Sequence, residues 1–373
     1  MNYKKLFLIV ALSLTALMFV IRAEESTVDK SETYKVKKGD NVSINLTNGD
    51  ILIKSWNKDE VMIQIIEGDI SNNNYKVEQR DNYLRISYNG SWKWDSDNNF
   101  IVTLPPHLLF DVRTGGGDIR IEDELKATVR ASTNSGDISS KMIQGNVQFM
   151  SQGGDILSGE IDGNFNANTM GGDIIVSDVK GNCNLNTKGG DIKTKNVTGN
   201  LQAVTSGGDI IIESVTSSLF ATTYGGDIKV ESANGNSKLV SYAGDVVINK
   251  SKGDIEVEAS AGDIRLRESE GSVKLNSLSG DIWVVLNPKG ASSIKSNFGD
   301  IELSIPSNAK VNISALAKTA FDDEELIISD FENFVKDQKT KNGHARKEYS
   351  INGGGNASID IKTNNAKILI KKK

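Results

Sequence analysis

The chain has 373 residues, with 35 glycines, 4 prolines, one cysteine and a formal net charge of −6. That charge disfavours nucleic acid as a partner, because phosphate binding needs a basic surface. A single cysteine excludes an internal disulfide and a cysteine-rich zinc site, and an aromatic content of 6% means that any core is aliphatic.

At the N-terminus, Lys4 and Lys5 precede an apolar run from Leu6 to Ile21, followed by Arg22, Ala23 and Glu24. A basic start, a hydrophobic stretch and a small residue before a polar chain predict a secretory signal over residues 1–23. The run falls short of the ~20 residues that usually span a bilayer. An uncleaved anchor is the alternative, and it would be the chain's one membrane contact. No cysteine follows the run, which argues against a lipoprotein. The expected location is therefore outside the cytoplasm, in the periplasm, on the cell surface or extracellular.

Residues 34–112 are expected to form a β-rich N-terminal cap. "NLTNGDILIKSW" (Asn45–Trp56) and "NYLRISYNG" (Asn82–Gly90) alternate apolar and polar residues, and Pro105-Pro106 interrupts a third such stretch. Period-two alternation is the mark of a half-buried strand. Tyr88, Trp92 and Trp94 are either part of the cap's core or a platform for sugars or proteins.

Residues 113–315 are dominated by a repeat. A Gly-Asp-Ile/Val unit recurs with its aspartate at Asp118, Asp137, Asp155, Asp173, Asp191, Asp209, Asp227, Asp245, Asp263, Asp281 and Asp300, and eight of the ten intervals are 18 residues. Counting from that aspartate as offset 0, offsets 1 and 3 are mostly aliphatic. Offsets 10 and 12 carry residues such as Phe165, Cys183, Leu185, Leu201 and Ala203, and offset 14 is mostly Thr or Ser. Each copy thus holds two short strands, near offsets 1–6 and 10–15, with one corner at Gly-Gly-Asp and the other usually at Gly-Asn. A fixed unit of two strands and two corners predicts one coil of a parallel β-solenoid (β-helix), in which identical residues stack into columns. About eleven 18-residue coils at ~4.8 Å each make a rod on the order of 50 Å long. An antiparallel meander is the structural rival.

Two columns are candidate sites. The eleven aspartates form a ladder at one corner, where neighbouring carboxylates repel. Either corner amides donate to each carboxylate, a structural turn ladder, or calcium bridges the coils. The first is favoured, since the calcium nonapeptide places Asp after Gly-x and the opposite corner here carries neutral Asn. The second column, offset 2, mixes apolar Leu157, Ile175, Ile211, Val247 and Trp283 with basic Lys193, Lys229 and Arg265. It is a possible interaction stripe or simply β-branched strand surface.

Residues 316–373 are expected to hold a charged insert and closing strands. Phe331, Phe334 and Val335 either cover the end of the rod or form a short helix. His107 and His344, the two histidines, sit in no general-base constellation, and no hydrolase, zincin or phosphate-loop motif occurs.

"TNGDILIKSW", "VTLPPHLLFDVRTGGGDIR" and the closing "INGGGNASIDIKTNNAKILIKK" together resemble a bacterial family of adhesin-like domains of unknown function with Gly-Gly-Asp-Ile repeats, some labelled as autotransporter adhesins. The resemblance covers roughly residues 40–373. It implies an exported β-solenoid, and it supplies no catalytic residues. The expected function is a non-enzymatic adhesion, scaffold or interaction module of the cell envelope or surface, without cofactor, whose partner is a surface protein or a glycan. The alternatives are a β-helix enzyme acting on polysaccharide and a calcium-stabilised β-roll.

Overall fold

The computed structural model describes residues 28–66, 74–90, 99–318, 325–332, 334–340 and 344–373. The expected signal segment and the Trp92–Trp94 pair lie outside them. The described residues form strands in two sheets and contain no helix.

In the repeat, each coil contributes one strand to each sheet. In the first, sheet A, Ile174–Val179 pairs in parallel with the strands 18 residues before and after it, so that Ile174 faces Ile156 and Ile192. In sheet B, Cys183 stacks between Phe165 and Leu201 in the same way. Parallel pairing at the repeat interval excludes the meander. Inward residues of both sheets belong to one continuous apolar core. Ile156, Ile174, Ile192, Ile210 and Ile228 are fully buried. Burying such a side chain stabilises by roughly 1.5–3 kcal/mol.

The alternation changes phase inside sheet A. Offsets 1 and 3 point inward, but so does offset 6, where Ile161, Val179, Val197, Val215 and Ala233 are at most 1% exposed. Strand partners skip from Ser158–Val176 to Glu160–Asp178. The strand bends there and turns an even offset into the core.

Offset 14 is polar yet buried because its hydroxyl is satisfied. Thr187 Oγ1 donates to the Gly172 carbonyl one coil back at 2.8 Å and accepts from the Gly190 amide at 3.3 Å. Thr169, Thr205 and Thr223 repeat the first bond at 2.8–2.9 Å. A buried hydroxyl without such a partner would cost its desolvation.

The coil corner also explains which glycine is constant. A Cβ on Gly172 would stand 2.3 Å from the Gly154 carbonyl oxygen, whereas one on Gly171 would stand 3.0 Å from that of Gly153. The glycine next to the aspartate therefore never varies, while its predecessor becomes Ala243, Ala261, Ser279 or Phe298 in later copies.

Both ends are built by the same device. Near the N-terminus, Asn41–Leu46 and Asp50–Ser55 form a coil that stacks directly on Leu109–Thr114 and Ile119–Ile121. The chain then leaves and returns on the outer side of that coil as Tyr83–Tyr88 and Asn99–Leu104. Antiparallel strands finish the edge: Tyr75–Arg80 in sheet B, and Glu60–Ile66 followed by Val28–Lys35 in sheet A. At the other end, Ala357–Asn364 and Ile368–Lys372 insert against Ala291–Ser296 and Ile301–Ile305. Val311–Lys318, His344–Ile351 and Phe334–Thr340 lie outside them in sheet B. The Phe334–Thr340 segment is thus an edge strand and not a short helix. Phe331 is buried and Val335 exposed. Charged edge strands such as Val28–Lys35 discourage pairing with a second rod.

Candidate functional site

The aspartate corner is a continuous hydrogen-bonded ladder. The Oδ1 atom of each aspartate accepts from the backbone amide of the next, from Asp118 to Asp300, at 2.7–2.9 Å. It extends one rung further at each end. Asp50 Oδ1 accepts from the Asp118 amide, and Asp300 Oδ1 accepts from the Lys367 amide, both at 2.8 Å. Asp50 belongs to the degenerate unit in "NLTNGDILIKSW" and was not among the eleven of the regular repeat.

The offset-2 column runs beside this ladder on the outer face of sheet A, in the register Leu157, Ile175, Lys193, Ile211, Lys229, Val247, Arg265, Trp283. Its apolar members are half-buried. Its cations turn back to the free carboxylate oxygens: Lys193 to Asp191 and Lys229 to Asp227, both at 3.0 Å, and Arg265 to Asp245 at 2.8 Å and Asp263 at 2.7 Å. Arg120 does the same for Asp118 at 2.9 Å. The Arg265 guanidinium also lies 4.6 Å from the Trp283 ring centre. From Lys193 to Arg265 the alternation of basic and apolar residues places a cation on every second rung, which offsets carboxylate repulsion, whereas the rungs of Asp137, Asp155 and Asp173 carry Ser139, Leu157 and Ile175 instead.

The carboxyls respond to that spacing. Partial burial pushes Asp191 up, but the Asp209 amide and the Lys193 ammonium outweigh it and hold the group below the usual carboxylate value. Asp227 is lowered in the same sense, with burial opposed by Lys229 and the Asp245 amide. Asp137 moves the other way. Burial raises it, the Asp155 amide only partly compensates, and the charges of Asp118 and Asp155 add to the rise. The residue two positions on is Ser139, where Asp191 has Lys193.

A third column escaped the sequence analysis. The residue just before the Gly-Gly pair is exposed at the corner, and there Met170, Tyr224, Tyr242 and Leu278 are 47–54% exposed. Tyr224 and Tyr242 stack at 4.7 Å with their planes 3° apart. Phe298, which replaces a glycine of the pair, is 63% exposed. The signal was available as large apolar residues at a turn position that needs none.

The opposite corner carries a neutral counterpart of the aspartate ladder. Asn146, Asn164 and Asn182 each accept, through Oδ1, from the amide 18 residues on at 2.9–3.0 Å. Cys183 is buried beside it, and burial pushes its thiol up. His107 follows the Pro105-Pro106 turn at the N-terminal end of the rod, and His344 opens His344–Ile351 at the C-terminal end. The two histidines are thus not brought together. Among the described residues, no three His, Cys, Asp or Glu side chains are placed to hold a metal ion.

With this geometry in view, the sequence profile of the Toastrack DUF4097 family matches residues 40–250 and, in an overlapping second span, 235–371. The chain belongs to the Toastrack DUF4097 family. The two matches together take in both end coils as well as the repeat. Among solved structures, this Toastrack chain is similar to a candidate adhesin of Bacteroides fragilis, at 20% identity and a TM-score of 0.28, over 67% of this chain and 96% of that one. It is also similar to a candidate cell adhesion protein of Clostridium sporogenes, at 11% identity and a TM-score of 0.19, over 92% of this chain and 99% of that one. No curated protein matches it.

Proposed function

We propose that this protein is an exported, non-enzymatic, adhesin-like module of the cell envelope or surface, which presents one long edge of a rigid β-solenoid to a surface partner. The observation that carries the proposal is the corner column beside the aspartate ladder, where Met170, the stacked Tyr224 and Tyr242, and Leu278 are exposed among the polar Lys188, Ser206 and Ser260. The half-buried Leu157, Ile175, Ile211, Val247 and Trp283 lie on the far side of the same ladder and widen that edge. Contiguous exposed apolar surface marks contact sites on soluble proteins. Stacked tyrosines on a rigid corner lose little conformational freedom when they bind. Every aspartate of the ladder accepts a backbone amide, so the acidic corner has a structural task in each coil that needs no general acid and base pair.

The test is binding of fluorescently labelled protein to whole cells and envelope fractions of the organism that makes it. The variants Tyr224→Ser/Tyr242→Ser and Ile175→Ser/Ile211→Ser should each lower the bound fraction several-fold with unchanged melting. Undiminished binding by both would remove this edge as the contact surface. Release of reducing ends from envelope polysaccharide would favour the β-helix enzyme instead.

A further inference from the structure

A groove of about 1100 Å³ runs along the outer face of sheet B, near the asparagine corner, from Asn146 to Ser293. It crosses nine coils, roughly 40 Å at the usual strand spacing. Over the five coils from Asn146 to Phe220 its lining contains no charged side chain, in a chain of which 25% is charged. Beyond that point Lys238 and Lys274 are matched by Asp254 and Glu256, and both lysines pair with Glu256. The groove therefore carries no net charge, and its charged groups are confined to one end.

In its first four coils the polar side chains of the lining are carboxamides. Asn164 and Asn182 each use Oδ1 to accept the amide of the following coil, which fixes the side chain and directs the Nδ2 hydrogens elsewhere. Both residues are solvent-exposed, as is Asn184 in the next outward position. A carboxamide nitrogen carries two donors, so the corner sets out a row of oriented donors at the strand spacing. Phe220 lies at the middle of the groove and is 38% exposed, an apolar platform among the amides.

We infer that this groove binds an uncharged linear polysaccharide. The lack of net positive charge disfavours anionic polymers, which need unpaired cations to replace their counterions. An extended peptide would gain little, because the groove lies on a sheet face where strand pairing already uses the backbone donors and acceptors. A neutral polyol suits fixed amide donors and a ring face. A glycan whose sugars advance by roughly the strand spacing of ~4.8 Å would set successive sugars against equivalent coils. The inference rests on the protein being a binding module and not a hydrolase. It assigns a second surface, on the opposite sheet from the proposed adhesion edge.

The test is affinity electrophoresis of the purified protein in gels containing hydroxyethyl cellulose, laminarin, galactomannan or dextran, with alginate as the anionic comparison. At least one uncharged polymer should retard the protein. The variant Asn184→Ala/Phe220→Ala, altered only at outward positions, should bind that polymer at least tenfold more weakly. Asn184→Trp, which fills the groove instead of emptying it, should do the same. Ile175→Ser/Ile211→Ser on sheet A should bind as the wild type does. Retardation by none of the four uncharged polymers, by alginate alone, or equally by the wild type and both groove variants would overturn the assignment. Cell binding that persists without any retardation would overturn the groove alone and leave the adhesion edge standing. Retardation accompanied by release of reducing ends would overturn the binding-module premise.

Discussion

The backbone amide of Asp173 donates to Oδ1 of Asp155 at 2.7 Å, and Asp173 in turn accepts from the amide of Asp191 at 2.8 Å. Each aspartate is therefore a rung and the anchor for the next rung, which gives the acidic corner a structural task in every coil. An asparagine retains the accepting oxygen, so Asp173→Asn should cost about 1 kcal/mol or less. A bound cation would give a different response. A ligand held only by the folded state adds RT ln(1 + [L]/Kd) to stability. Thermal melts in millimolar calcium and in EDTA should coincide. A large shift with calcium that magnesium does not reproduce would turn the ladder into a metal site.

Asp137 and Asp191 stand three rungs apart in one ladder but in opposite charge environments, and their pH responses should oppose each other. Asp191 is held below its ordinary value, so its contribution is complete above the unfolded carboxyl's range and is lost as pH falls through the folded value. Asp137 is raised. Its ionised form is penalised by folding at neutral pH, and that penalty disappears as pH falls through its folded value. Ser139→Lys would place an ammonium where Lys193 serves Asp191. The variant should gain up to about 1 kcal/mol at pH 7, the scale of an exposed ion pair, and lose the gain near pH 2 when the carboxyl is protonated. Equal denaturation midpoints at pH 7 would show that the column cations do not govern the ladder.

The hydroxyl column offers a stabilising change. From Thr114 to Thr363 its members carry a hydroxyl, except Ala259. Its neighbours Ser241 and Ser277 donate to the Gly226 and Gly262 carbonyls at 3.2 and 3.5 Å. Ala259→Ser would supply the equivalent donor to Gly244 and should raise stability by about 1 kcal/mol. Thr205→Ala, which removes the 2.8 Å bond from a buried hydroxyl to the part-buried Gly190 carbonyl, should lower it by ~1–3 kcal/mol. A neutral or destabilising Ala259→Ser would mean that buried packing, and not the hydroxyl bond, selects Ser and Thr here.

What could be seen in the sequence was what recurs. The period of the aspartates and the inward columns at offsets 1, 3, 10 and 12 led to parallel coils, and Ile174 over Ile156 is their direct consequence. The column at offset 6 was hidden because a bend between Ser158 and Glu160 breaks the period-two rule locally. The order of strands at the ends was hidden for another reason. Asn41–Leu46 lies between Tyr83–Tyr88 and Leu109–Thr114, a pairing across dozens of residues that alternation does not encode. Among the candidate surfaces, the offset-2 residues were noticed for their composition. The more exposed Tyr224 and Tyr242 occupy a turn position, where strand periodicity gives no warning.

The two glycines of one corner provide the sharpest test of coil geometry. A methyl group on Gly172 would stand 2.3 Å from the Gly154 carbonyl oxygen, a backbone atom with no rotamer to change. Relief requires the two coils to separate at the point where the Asp155–Asp173 bond and the Thr169 bond to Gly154 hold them. Gly172→Ala should therefore cost about 3 kcal/mol or more, at the upper end of overpacking penalties. Gly171→Ala adds the same methyl one residue earlier, where the nearest carbonyl oxygen is 3.0 Å away. That position already holds Ala243 and Ala261 in later coils. An adjustment of a few tenths of an ångström suffices there, and restricting the unfolded chain returns roughly 0.4–1 kcal/mol. Urea denaturation of the two variants should place Gly171→Ala within about 1 kcal/mol of the wild type, with Gly172→Ala well below it. Equal losses would mean that the coils are not stacked carbonyl against glycine as the geometry places them.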